Sequence, residues 1–105
     1  MRVQDLNTWI GLLEVRPKSN NDILGGAPGA YTNVVCLAND VPDYSRKVKH
    51  ALGALGLEVI WEDRVEPLDH RLVNHDISDE LRECVNNLSE ECPVLFDAFY
   101  VFESE

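Results

Sequence analysis

Two aspartate–histidine pairs are the residues whose types could support catalysis or metal binding. Asp69 precedes His70, and His75 precedes Asp76. A carboxylate beside an imidazole serves both general acid–base catalysis and zinc binding. The two histidines are five residues apart, which fits neither the i, i+4 spacing of helical zinc ligands nor a strand alternation that would bring both rings together. We therefore interpret them as surface histidines and expect no catalytic residue, no metal and no cofactor.

The three cysteines are the next reactive side chains to consider. Cys36 lies in a continuous apolar run. Cys84 and Cys92 are eight residues apart along the helix predicted over residues 78–91, which Cys92 directly follows. At about 1.5 Å of rise per residue, that spacing separates them by roughly 12 Å, beyond the reach of a disulfide. We expect reduced thiols that serve as small apolar side chains.

Charge divides the chain into two unlike halves. The formal net charge is −10, but residues 1–57 carry six Lys/Arg and five Asp/Glu, whereas residues 58–105 carry three and fourteen. The negative charge of the second half disfavours binding to nucleic acid or to anionic membranes, because such binding depends on contacts between Lys or Arg side chains and phosphate groups. The same charge favours binding to a basic protein.

Residues 31–66 predict the central part of the fold, because their pattern indicates a strand, a helix and a second strand. The apolar run 34–38 predicts a central strand covered on both faces. Asp40 caps the following helix and Gly56 ends it, and its buried stripe is predicted to be Tyr44, Val48, Ala51, Leu52 and Leu55. In the next strand Leu57, Val59 and Trp61 alternate with Glu58, Ile60 and Glu62. A right-handed crossover places these two strands parallel, with the helix on one face.

The flanking segments complete the domain. Residues 8–15 predict a strand, and residues 16–30 predict a long flexible loop whose Ile23 and Leu24 could contact a partner. Pro67 begins a short helical turn that Leu68 and Leu72 anchor. Ser78 caps the second helix, whose buried stripe is Leu81, Cys84, Val85 and Leu88. The last strand, over residues 94–102, is apolar on both sides, which is typical of a strand inside a sheet or at a subunit interface.

These elements predict one α+β domain over residues 1–105. We expect a two-layer sandwich, in which two helices lie on one face of a roughly four-stranded mixed sheet of ferredoxin-like size. Asp5 and Asn7 interrupt the N-terminus where a signal peptide needs an apolar stretch, and no window is long enough to span a membrane. We expect a cytoplasmic protein.

The function we predict is a small acidic interaction protein rather than an enzyme. It would act as an inhibitor or an immunity-type protein, covering a basic surface on a protein partner such as a toxin. The predicted binding residues are Trp61, Glu62, Asp63, Glu66, Asp69, Asp79, Glu80 and Glu83. One alternative is a ligand-sensing or oligomerising regulatory module, such as a homodimer joined through the free face of the sheet. A third is an enzyme that uses His70 or His75 with the neighbouring aspartate.

Overall fold

The computed structural model describes residues 7–18 and 22–102. Its elements are β1 (Asn7–Pro17), β2 (Gly29–Ala38), α1 (Val41–Ala54), β3 (Leu57–Pro67), α2 (Leu68–Asn74), α3 (Asp79–Asn87), β4 (Val94–Phe96) and β5 (Tyr100–Phe102). The predicted α+β class is confirmed. The predicted turn after Pro67 is a short helix, and the predicted last strand is divided into β4 and β5.

The strands form one open sheet in the order β3-β1-β2-β4, in which β5 also pairs with β2. Each ladder among the described residues is antiparallel, so the prediction of a mixed sheet is wrong. Strands β2 and β3 both run antiparallel to β1 and therefore run in the same direction, as the crossover through α1 requires. Strand β1 lies between them.

Helices cover both faces of this sheet. Val34 packs in the core with α1, whereas its neighbour Val35 packs in a second cluster with Leu81 of α3. Successive strand residues point to opposite faces, so α1 and α3 lie on opposite sides. The predicted two-layer arrangement with two helices on one face is therefore not found. The apolar run 34–38 did indicate a central strand, and Val34, Val35 and Cys36 are fully buried.

Helix α1 begins and ends where local signals place it. The Asp40 Oδ1 atom accepts a hydrogen bond from the Asp43 backbone N at 2.9 Å, and Gly56 has a φ of 82°. Tyr44, Val48 and Leu52 are fully buried, but Leu55 is 40% exposed because it lies beyond the last helical turn. The predicted stripe is wrong at that position.

Tyr44 fastens α1 to the sheet. Its hydroxyl donates a hydrogen bond to the Val34 backbone O at 2.9 Å. The ring approaches Gly11 of β1 so closely that a Cβ atom added there would lie 2.7 Å from the hydroxyl oxygen and 2.9 Å from the Val65 Cγ2 atom. Only glycine leaves room for this contact.

Strand β3 contains two β-bulges. Val59 pairs with Val15 and Trp61 pairs with Glu14, so Ile60 is an extra residue. A second bulge places Arg64 and Val65 opposite Gly11, and Arg64 has a φ of 55°.

The first bulge reverses the faces of the residues that follow it. Trp61 turns away from α1 and is 44% exposed. Glu62 turns towards α1, where its Oε2 atom accepts a hydrogen bond from the Ser45 Oγ atom at 2.7 Å. The regular alternation predicted for this strand is therefore wrong after Ile60.

The last strand divides because residues 97–99 face only Thr32 and Asn33 of β2. The extra residue interrupts pairing, and Phe99 turns inward to pack on Phe96 with ring centroids 4.9 Å apart. Helix α3 is also shorter than predicted, ending at Asn87.

The connection between β1 and β2 is shorter than the predicted 16–30 loop, since the two strands extend to Pro17 and from Gly29. Residues 19–21 lie outside the described residues. Leu24 is 6% exposed and packs in the core, so the prediction that it contacts a partner is wrong, whereas Ile23 is 40% exposed.

Candidate partner-binding surface

One half of the sheet face opposite α1 presents aromatic side chains to solvent. We define the open face by six residues on that side of neighbouring strands: Leu12, Glu14, Tyr31, Trp61, Asp63 and Tyr100. Tyr31, Trp61 and Tyr100 are 39%, 44% and 53% exposed. At the other end of this face, α2 and α3 bury Ile10 and Val35.

Tyr31, Glu14 and Trp61 form a single row across three strands, which we call the aromatic row. Tyr31 pairs with Glu14, and Glu14 pairs with Trp61. The two rings meet edge to face, with centroids 6.5 Å apart and planes at 78°. The Glu14 side chain between them is 18% exposed, and its Oε2 atom lies 3.4 Å from the Arg16 Nη2 atom. In the ladder, an acidic residue thus lies between two aromatic residues.

A groove between α3 and β4 adjoins the open face. It has a volume of about 410 Å³ and is lined by Glu80, Glu83, Cys84, Asn87, Cys92, Leu95 and Asp97; we call it the α3 groove. Asp97 links the two features, because its Oδ2 atom accepts hydrogen bonds from the Tyr100 hydroxyl at 3.2 Å and from the Asn33 Nδ2 atom at 3.3 Å.

The α3 groove is electrostatically negative. The Asp97 carboxylate raises the pKa of Tyr100, with smaller contributions from its hydrogen bond to Asp97, from burial and from Glu80. Burial raises the pKa of the Cys84 thiol, and the charges of Asp97 and Glu83 add to the effect. Nearby negative charge disfavours further ionisation, which explains the largest part of the pKa shift of Tyr100 and the smaller, electrostatic part of the pKa shift of Cys84.

The basic residues near this side of the protein have other carboxylate partners. The pairs are Arg64 with Asp63 at 3.5 Å, Arg71 with Glu66 at 2.5 Å, and Arg82 with Asp76 at 2.8 Å. On α1, Arg46 and Lys47 both pair with Asp43. Among residues 7–18 and 22–102, no cation forms an ion pair with Glu80, Glu83 or Asp97.

The predicted binding residues do not share a single surface. Trp61 and Asp63 lie on the open face, and Glu80 and Glu83 line the α3 groove. Asp79 is exposed in the first turn of α3. Their common role in binding a partner stays a prediction.

Three predicted carboxylates lie elsewhere. Glu62 faces α1, Glu66 is paired with Arg71, and Asp69 lines a separate cavity of about 450 Å³. Strand alternation separates Glu62 from Asp63, which the sequence analysis had grouped together.

Asp97, Tyr100 and Tyr31 were missed as members of the surface. Asp97 did carry a signal, because it is the one charged residue within the apolar run 94–102. The tyrosines did not, since their position depends on pairing with strands distant in sequence.

The two aspartate–histidine pairs line different cavities. Asp69 and His70 lie beside Thr8 and Pro67, whereas His75 and Asp76 line a cavity of about 390 Å³ with Arg64, Glu66 and Arg71. The described residues contain no group of three or more His, Cys, Asp or Glu that could hold a metal ion.

The prediction that Cys84 and Cys92 share a helix is wrong. Because α3 ends at Asn87, Cys84 and Cys92 do not lie on one helix and instead line the same groove. The predicted separation of roughly 12 Å assumed a continuous helix and no longer applies. All three cysteines are free thiols in the structure.

Comparison with family models, curated proteins and solved structures finds no match to this chain. Within residues 7–18 and 22–102, none of the helices has the length and hydropathy to cross a membrane.

Proposed function

We propose that this protein is a non-enzymatic inhibitor or immunity-type protein that covers a basic surface on a protein partner. The observation that carries the proposal is the continuity of the open face, with its exposed aromatic residues, and the α3 groove, whose carboxylates have no cation partner in the described chain. Exposed aromatic side chains and carboxylates without a cation partner thus lie next to each other on one side of the described structure.

Each part has a physical role in such a complex. Tyr and Trp bury large areas with few rotatable bonds and dominate the binding energy of many interfaces. Unpaired carboxylates accelerate encounter with a cationic surface and select against acidic partners. The same carboxylates oppose the approach of nucleic acid, whose phosphates would meet Glu80 and Asp97.

An oligomerising module is the second candidate, favoured by the exposure of Tyr31, Trp61 and Tyr100. Two copies joined through this side would bring Glu80, Glu83 or Asp97 near like charges of the second copy, which disfavours association. Light scattering at low and high salt separates the two candidates. A dimer that persists at both salt concentrations would favour the module.

The proposal is tested by site-specific photo-crosslinking in a lysate of the native host. A benzophenone amino acid at position 61 or 83 samples the proposed surface, and the same group at His50, exposed on α1, is the matched control. We expect basic proteins to be captured from positions 61 and 83 but not from position 50. The captured protein is then purified, and its affinity is measured as a function of salt.

Charge reversal provides the decisive comparison with the purified partner. Glu83→Lys changes the α3 groove, and Asp22→Lys makes the same charge change at an exposed loop position. We expect only the first to weaken binding strongly. Capture of acidic proteins alone, equal capture at all three positions, or equal weakening by both substitutions contradicts the proposal.

A further inference from the structure

We infer that the aromatic row is a receptor for an arginine side chain of the partner. The inference rests on the proposed function and names the group that the open face recognises. Its basis is the register of Tyr31, Glu14 and Trp61 across three strands, which places an acidic residue next to two exposed aromatic residues on one face of the sheet.

The side chains of the row match the two binding modes of a guanidinium group. The planar cation stacks on aromatic faces, for which Trp is the strongest ring, and its fork of N–H donors pairs with a carboxylate. Trp61 is 44% exposed, and Glu14 lies directly opposite it in the ladder. An ionised carboxylate has about four acceptor positions, so Glu14 can accept further hydrogen bonds.

The protein's own Arg16 shows that a guanidinium group can reach the Glu14 carboxylate. Its Nη2 atom lies 3.4 Å from the Glu14 Oε2 atom, a distance longer than a strong charge-assisted hydrogen bond of about 2.7–2.9 Å. A guanidinium group therefore reaches Glu14 without satisfying it fully. A second guanidinium placed over Trp61 would form the shorter contact.

Among the described residues, the carboxylates around the row outnumber the cations. Asp63, the next residue of β3 on the same face, has a side chain that is 42% exposed and is paired with Arg64 at 3.5 Å. Glu58 lies opposite Arg16 in the ladder, so that three carboxylates, with Glu14, lie near two guanidinium groups. The remaining negative charge favours a cationic occupant. Lysine gains from this charge as arginine does, but it lacks the planar fork and stacks less well. A preference for arginine over lysine is therefore the signature of the row.

Two synthetic peptides test this preference. Each has nine residues, with blocked ends; one alternates Arg with Ser and the other alternates Lys with Ser, so that their charges match. Affinities are measured by calorimetry at about 20 mM salt, where surface charge is weakly screened. We expect the arginine peptide to bind about two- to fivefold tighter, which corresponds to one exposed cation–π contact.

Variants at Trp61 assign the preference to the row. Trp61→Leu retains an apolar side chain without an aromatic face and should equalise the two affinities, whereas Trp61→Phe should retain the preference. Val73→Ala, at a residue of α2 that is 77% exposed, is the control and should change neither. Circular dichroism of each variant confirms that it is folded.

The outcomes also separate this inference from the proposed function. Equal affinity for both peptides, failure of both to bind, or a preference that survives Trp61→Leu overturns the arginine receptor. The proposed function fails separately, when crosslinking from positions 61 and 83 captures no basic protein.

Discussion

The two faces of the sheet differ in how completely they are packed. Under α1, Leu13, Val34 and Leu52 are fully buried, and Tyr44 fits against Gly11 with no room for a Cβ atom. On the open face, the rings of Tyr31 and Trp61 touch only at an edge and remain exposed. The packing under α1 therefore contributes more to the stability of the fold than the open face does.

The largest expected effect is a cavity under α1. Leu52→Ala removes a fully buried side chain and should lower the free energy of unfolding by about 3 kcal/mol, within the 2–5 range for such substitutions. Trp61→Ala, on the open face, should cost about 1 kcal/mol or less. Urea denaturation measures both, and equal losses would show that the open face also stabilises the fold.

The contact between Tyr44 and Gly11 should have the next largest effect. Gly11→Ala forces a Cβ atom to within 2.7 Å of the Tyr44 hydroxyl oxygen, and overpacking of this kind costs about 1–3 kcal/mol. Tyr44→Phe alone loses one buried hydrogen bond, for about 1 kcal/mol. In the double variant, removal of the Tyr44 hydroxyl relieves part of the clash with the new Cβ atom. The double variant should therefore lose less stability than the sum of the losses measured for the two single variants. Strict additivity would mean that the two residues are not coupled.

A smaller effect concerns acid stability. The backbone N–H of Asn39 and the ammonium group of Lys47 lower the pKa of Asp43 in the folded protein. A depressed carboxyl pKa contributes stability above its unfolded value, about 3.9, and this contribution is lost as the pH falls through the folded pKa. Asp43→Asn should therefore reduce stability at pH 7 and flatten its fall between about pH 5 and 2. A parallel fall in both proteins would contradict this.

The smallest predicted change is spectroscopic. Asp97→Asn removes the charge that raises the pKa of Tyr100, so the phenol should titrate closer to its ordinary value of about 10. NMR of ring-labelled tyrosine follows the Tyr100 titration in the unmodified protein and in the variant. An unchanged Tyr100 titration would show that the negative charge of Asp97 does not affect the side chains of the open face.

The sequence was informative where a signal acts within a few residues. Asp40 and Gly56 defined α1, and the apolar run 34–38 identified the central strand, because capping and burial depend on local residue types. The bulge at Ile60 was missed although the alternation of apolar and acidic residues breaks there, because three consecutive apolar residues, 59–61, do not by themselves show which one is extra. Its position depends on how β3 pairs with β1, which lies far away in the chain.

Only part of the candidate surface was predicted, because only some of its residues are grouped by local sequence. Charge composition identified Glu80 and Glu83, which share a helix and a groove. It grouped Glu62 with Asp63, although neighbouring strand residues face opposite sides. Tyr100 joins this surface because the last strand divides at residues 97–99, an irregularity set by tertiary pairing, whereas Asp97 follows the regular alternation from Leu95.

The bulge at Ile60 makes the open face insensitive to a change of one residue in the length of β3. Without Ile60, Val59 would still pair with Val15 and Trp61 would still pair with Glu14, and the ladder would simply run without interruption. A one-codon deletion at this position would therefore leave the indole of Trp61 exposed and the carboxylate of Glu62 beside α1.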